Sequence, residues 1–275
     1  MVSGVVSELW TYPLTGGRGV SLDQARHLPG GIEGSRDFIL AEETDSGLVR
    51  IGSKHAPELS RLEFAGAEHL DEIILGDTAI TLPINEAGFR IRSDALCDEF
   101  GDAVPVQYMD ASYDAVFSNY LERPVRLVRK TLPWLMGEVA DPSNWSNAPL
   151  HIVSEETIEW LKVRNNSEAI DSRRLRASIV LLGLAANEEL DLIGCQLYLP
   201  ENDITIVLDR PTPRCVVPSR DPETGASLKD VSLKKMEKAP SLDDKLVACA
   251  GVYGYLEGFD GSPKLINVGD EFSIV

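Results

Sequence analysis

Residues 210–225, RPTPRCVVPSRDPETG, set a cysteine directly after an arginine and between prolines, with Arg220, Asp221 and Pro222 just downstream. The thiolate, not the thiol, attacks electrophiles and binds soft metals, and neighbouring cations favour it by stabilising its charge. Arg214 beside Cys215, and Arg220 a few residues on, carry the right sign. Pro211, Pro213 and Pro218 remove backbone donors and stiffen the segment, so a strand end entering a defined loop fits better than a central strand. The competing reading is a plainly buried thiol, since free cysteine is among the residues most often found inside. Cys97, Cys195 and Cys249 carry that buried reading more firmly, with apolar neighbours such as Leu197, Val247 and Ala248. No Cys-x-x-Cys pair joins them, which argues for free thiols over zinc or an iron–sulfur cluster. Asp221, ahead of Pro222, either starts a turn by accepting a backbone N–H or takes part in the chemistry.

Charge narrows the ligand classes. The 275 residues include 26 Lys and Arg against 44 Asp and Glu, a net charge of −18. Such a field repels nucleic acid and anionic membrane, so neither is an expected partner. An anionic ligand would need basic residues gathered locally. Three gatherings exist: Arg173, Arg174 and Arg176; Arg210, Arg214 and Arg220; and Arg123, Arg126, Arg129 and Lys130. The competing reading for each is a solvated or carboxylate-paired group. Familiar templates are missing: there is no G-x-G-x-x-G, Walker A, H-E-x-x-H or G-x-S-x-G pattern. None of His27, His55, His69 and His151 lies at metal-ligand spacing from another, and His151 in an apolar strand reads as a hydrogen-bonded structural residue. No apolar run of about 18 residues occurs, and MVSGVVSELW lacks a secretory signal's basic and apolar segments, so the expected location is the cytoplasm.

The elements that must carry Cys215 are mostly strands. SELWTYPL breaks at Thr15-Gly16-Gly17, and FILAEE, EIILGD and AITLPI are short strands between Gly, Pro, Asp and Ser. PVRLVRK begins a second unit after an antiparallel β unit, and Pro133–Pro149 reads as a long irregular connection. PLHIV is a strand, Ser154 an N-cap, and EETIEWLKV a helix with Ile158, Leu161 and Trp160 on its buried stripe. RASIVLLG is a buried strand, and GCQLYLPENDITIVLD gives two strands joined at residues 200–203. Glu188 and Glu189 read as an exposed pair. The expected class is mainly β (α+β) with few helices, because strands do not alternate with helices as a doubly wound sheet requires.

Taken in order, Arg214-Cys215 followed by Asp221-Pro222-Glu223-Thr224-Gly225 resembles the signature of the MOSC domain, the module named for the carboxy-terminal domain of molybdenum cofactor sulfurases. PLHIVSEETIEWL, RRLRASIVLLG, NEELDLIG and INVGDEF resemble that domain's other landmarks. LWTYPLTGGRGVSLDQA and GGIEGSRDFILAEE resemble the β-barrel domain that precedes MOSC in the amidoxime-reducing, bacterial YcbX-like branch. The resemblance implies a smaller amino-terminal β-barrel domain over residues 1–118 and a MOSC β-barrel domain over 119–275. It implies a molybdenum cofactor (molybdopterin) with Cys215 as metal ligand, and reduction of N-hydroxylated small molecules with electrons from a separate donor protein.

Carried over residue by residue, the resemblance makes Cys215 and Asp221 catalytic. It assigns Arg36, Lys54, Thr157, Arg176, Ser178 and Arg214 to the cofactor. Arg176 and Ser178 stand in the family's Arg-Pro-Asn, with Ala177 for its proline, and Thr157 matches a hydroxyl near the cofactor. Arg36 follows Ser35 where the family has Asp-Arg, and Asn147 replaces an aspartate. Thr15-Gly16 replaces the lysine-serine that holds the cofactor phosphate, with Arg18, Arg50 or Lys54 as substitutes. Two alternatives stand beside the reductase: a sulfur carrier or sulfurtransferase using a Cys215 persulfide, and a non-catalytic MOSC binding module.

Overall fold

The structure, a computed structural model, describes residues 2–28, 31–65, 72–75, 78–81, 90–99, 102–130, 149–240, 245–258 and 262–275. The stretch 133–148, expected as an irregular connection, lies outside the described residues, as do His69, the Cys97 side chain and Asn147.

Two closed rings of strands dominate, which agrees with a mainly β class. In the larger ring, Leu150–Ser154, Ile179–Leu182, Ser3–Thr11, Glu271–Ile274, Gln196–Leu199, Ile204–Pro213 and Leu246–Leu256 follow one another. Pairing of Leu150–Ser154 with Leu246–Leu256 closes it. Val20–Leu22 and Glu237–Pro240 add to its margins. Its one parallel pair, Leu150–Ser154 with Ile179–Leu182, needs a crossover, and the helix Glu155–Asn165 supplies it. Ser154 caps that helix as expected, accepting the Thr157 N–H, and Ile158 and Leu161 are buried on its inner face. Alternate residues of the strands, such as Val6, Leu9, Leu197, Leu199, Ile204 and Ile206, fill the ring.

The smaller ring consists of Phe38–Thr44, Gly47–Ile51, Arg90–Glu99, Asp102–Tyr108 and Arg126–Lys130. The last of these, read from sequence as opening a second unit, pairs antiparallel with Phe38–Thr44 through Leu127↔Leu40 and Val128↔Ile39. By strand pairing the small ring therefore runs on to Lys130, and the helix Ala111–Leu121 lies across the expected 118/119 division. The first strand, Ser3–Thr11, lies in the larger ring. Right after it, the Thr15 N–H bonds Phe38 O, and Leu14 joins Leu59, Leu62 and Phe117 in the core beside the small ring. One segment of chain thus stitches the rings together where the candidate residues gather.

Candidate functional site

Cys215 follows the strand Ile204–Pro213, whose last ladder partner is Cys249, and the Arg214 N–H bonds Ala248 O at 2.8 Å. The prolines end the ladder there, and a 3₁₀ turn at Val217–Ser219 bends the chain away. The thiol is exposed, whereas Cys249 is fully buried and Cys195 half-buried. Burial raises the Cys249 thiol to about 11, so it stays protonated at neutral pH.

Beyond the 3₁₀ turn, Asp221 builds a tight turn: its Oδ1 accepts the N–H groups of Glu223 and Thr224 and the Thr224 hydroxyl, at 2.7–3.0 Å. Burial works to raise its pKa, but the Thr224 donors outweigh that and hold the carboxyl below its usual range. An ionised carboxylate committed to turn donors is poorly suited to act as a general acid. Gly225 completes the turn at φ +73°, and a Cβ there would collide with Pro57 O. Arg61 Nε donates to Thr224 O and Arg220 donates to Lys54 O, which fixes the turn against residues 54–61.

Arg176 reaches the same place from another element. Asp171 caps the short helix Ser172–Leu175, and Arg176 ends it in the left-handed region at φ +55°. Its guanidinium lies 4.2 Å over the Tyr12 ring and donates to Gly17 O at 2.6 Å. Arg36 is left-handed too, at φ +59°, with its N–H on Tyr12 O. Two arginines in a region that non-glycine residues seldom adopt, both tied to Tyr12, mark a site where the fold dictates an unfavourable backbone. Burial, then the charge of Arg36, pulls Arg176 down to about 9, with Arg214 and Arg50 adding to the effect. Burial likewise lowers Arg214, which Tyr253 and Cys215 partly offset.

In a chain of net charge −18, Arg36, Arg176 and Arg214 have no carboxylate ion pair among the described residues. The other gatherings behave differently. Arg123, Arg126 and Arg129 pair with Glu42, with Glu43 and Asp114, and with Asp37. Arg174 is fully buried against Asp230, and Arg173 pairs with Asp171 and Glu223. Several buried polar atoms near the cluster have no partner: the Tyr12 hydroxyl, Arg214 Nε, Arg220 Nε and Thr15 Oγ1. Desolvated donors left unmet cost about 1–3 kcal/mol each, so they point to a ligand rich in acceptors. A small open cleft is lined by Tyr12, Arg18, Ser53, Arg173, Arg176 and Arg220, with Asp221 among its walls, while Cys215, Arg36 and Arg214 lie outside its lining.

The remaining expected residues fall in three places. Lys54 is exposed on the loop that accepts Arg220. Ser178 is buried in the strand ladder, its hydroxyl accepting the His151 N–H at 3.4 Å and its own N–H on His151 O. His151 is a structural residue, as expected, its ring between Ala250 O and Arg176 O at 2.9 and 3.3 Å; burial, then Arg214, lowers it to about 3. Thr157 is fully buried, and its hydroxyl donates to Glu189 and accepts from Ser154 and the Asn187 N–H. That network corrects the reading of Glu189 as exposed. Glu188 is half-buried, its carboxylate accepting the Ala185 N–H, while Glu189 is fully buried as a hydroxyl acceptor. Tyr12 was not singled out from sequence; its signal is an aromatic at the end of a strand immediately before Pro13 and the Gly16-Gly17 turn.

A family model described as MOSC domain matches residues 133–273. No curated protein matches the chain. A crystal structure of the YUAD protein from Bacillus subtilis is 12% identical, with 99% of this chain and 95% of that chain covered at a TM-score of 0.44.

Proposed function

Because the chain belongs to the MOSC domain family, we propose that it binds a molybdenum cofactor at the Tyr12 cleft and reduces N-hydroxylated small molecules. The observation that carries this reading is an exposed cysteine directly after Arg214, one of three arginines close enough for their charges to repel one another and without a carboxylate ion pair among the described residues. The residues present suit the group. A dithiolene-ligated metal accepts a thiolate, and a phosphorylated pterin offers the acceptors that Arg214 Nε, Arg220 Nε and the Tyr12 hydroxyl lack.

Bound there, the cofactor would supply the two-electron chemistry by which an N–O bond is cleaved, with two protons taken up and water released. Cys215 is assigned the metal ligand, and Arg36, Arg176 and Arg214 the anionic groups of the cofactor. Arg50, close enough to depress Arg176, supplies charge in place of the lysine replaced at Thr15-Gly16. Asp221 holds the loop that carries Cys215, and Ser178 holds His151 and the strand beneath Arg176. Thr157 supports the fold from its own network. Electrons come from a separate donor protein. Among the described residues no helix is long and apolar enough to cross a membrane.

The test is molybdenum and pterin content in protein from a cofactor-making host, beside Cys215→Ser. Near-stoichiometric molybdenum in the wild type, lost in the variant, is expected. The exposure of Cys215 equally suits a sulfur carrier. Metal-free wild type with a persulfide mass increment on Cys215 would overturn the reductase in favour of that role, and neither result leaves only a binding module.

A further inference from the structure

Beside the cleft, which Arg18 and Arg173 help to line, three elements meet through one carboxylate. Glu223 Oε1 lies 3.1 Å from Arg173 Nη1 and 3.6 Å from Arg18 Nη2. Arg18 comes from the loop after the first strand, Arg173 from the short helix, and Glu223 from the turn that Asp221 builds. Each arginine already has another carboxylate, Glu63 for Arg18 and Asp171 for Arg173, so Glu223 is not needed to neutralise either. Nor does the turn need its side chain: the turn closes through the Asp221 carboxylate, the Gly225 N–H on Asp221 O and the Glu223 backbone N–H. What fixes Glu223 beside the two arginines is backbone, because the turn is wedged against Pro57 and held by Arg61.

We propose that Glu223 is a latch, a built-in anion that occupies Arg18 and Arg173 in the cleft wall until an anionic ligand displaces it. This rests on reading the cleft as an anion site. The Glu223 side chain is 53% exposed and the arginines are 26% and 30% exposed, so both pairs are solvent-screened and weak. Such a pair opens readily to a competing multivalent anion, while its presence raises the concentration of ligand required. Displacement also separates the turn's side chain from Arg18 and Arg173, which frees guanidinium donors toward the cleft on both sides.

The test is inorganic phosphate binding by calorimetry at low ionic strength, for wild type, Glu223→Gln, Arg18→Gln, Arg18→Gln/Glu223→Gln and Arg176→Gln. Glu223→Gln is expected to bind phosphate about two- to tenfold tighter, the range that two screened pairs allow. That gain should shrink when Arg18 is also replaced. Unchanged thermal melting of Glu223→Gln confirms that the turn is intact. Phosphate binding that needs Arg176 but is unmoved or weakened in Glu223→Gln overturns the latch and leaves the anion site standing. Absence of phosphate binding in wild type and in Glu223→Gln alike overturns both.

Discussion

Glu189 has one carboxylate oxygen accepting the Ser154 and Thr157 hydroxyls and the other buried without a partner. Burial raises its pKa, and the hydroxyl donors only partly oppose this. Glu189→Ala would leave the buried Thr157 hydroxyl without its acceptor, while Ser154 keeps Thr157 as one, at a cost of about 1–3 kcal/mol. Glu189→Gln keeps an acceptor oxygen and removes the charge, so it should cost less; urea denaturation of both variants at pH 7 checks the order, and equal midpoints would deny the network its role. Sequence alone could not place this residue, since Glu188 and Glu189 look alike and the hydroxyls that claim one of them lie more than thirty residues away. Cys215 was legible for the opposite reason: its prolines act locally, and a strand that runs out of donors must end there. The arginines were legible as a gathering but not in their fates, because which of them meets a carboxylate depends on tertiary pairing.

At the scale of elements, the loop from Arg214 to Ala226 is positioned by its contact with residues 54–61, and at Gly225 it lies so near the Pro57 carbonyl that no Cβ fits. Gly225→Ala meets both a positive φ of +73° and the Pro57 carbonyl, so the turn must move or the loops part. Loss of molybdenum or phosphate binding is expected with thermal melting lowered by only a few degrees, since the two barrel cores are untouched. Wild-type binding in that variant would show that the loop's position does not matter to the site. Strands and the capped helix were readable from pattern, as Ser154 with Glu155 and Glu156 in the first turn shows. Strand partners were not: Arg126–Lys130 has the same alternation whether it opens one ring or closes another, and only its register against Phe38–Thr44 decides.

At the scale of the whole molecule, two histidines among the described residues are buried in neutral form. Burial lowers His27 to about 4, and burial with Arg214 lowers His151 to about 3. In the unfolded chain both titrate near pH 6.5, so between those values the unfolded state binds more protons and stability falls as pH falls. The slope is about 0.7 kcal/mol per pH unit for each histidine at pH 6.5 and approaches about 1.4 kcal/mol per pH unit at pH 5. Urea midpoints measured from pH 7 to pH 5 should decline, and His27→Gln should flatten that decline; an unchanged slope would mean that His27 is not neutral in the fold. The pairing of Ser3–Thr11 with Glu271–Ile274, Ser3 opposite Ser273, has a consequence for synthesis. The smaller ring is complete once Lys130 has left the ribosome, but the larger ring cannot close until its last strand emerges. The first strand therefore waits for Ile179–Leu182 on one edge and for Glu271–Ile274 on the other, with only Val20–Leu22 to pair its end early, and a nascent chain stalled before residue 271 would carry a finished small barrel beside an open sheet.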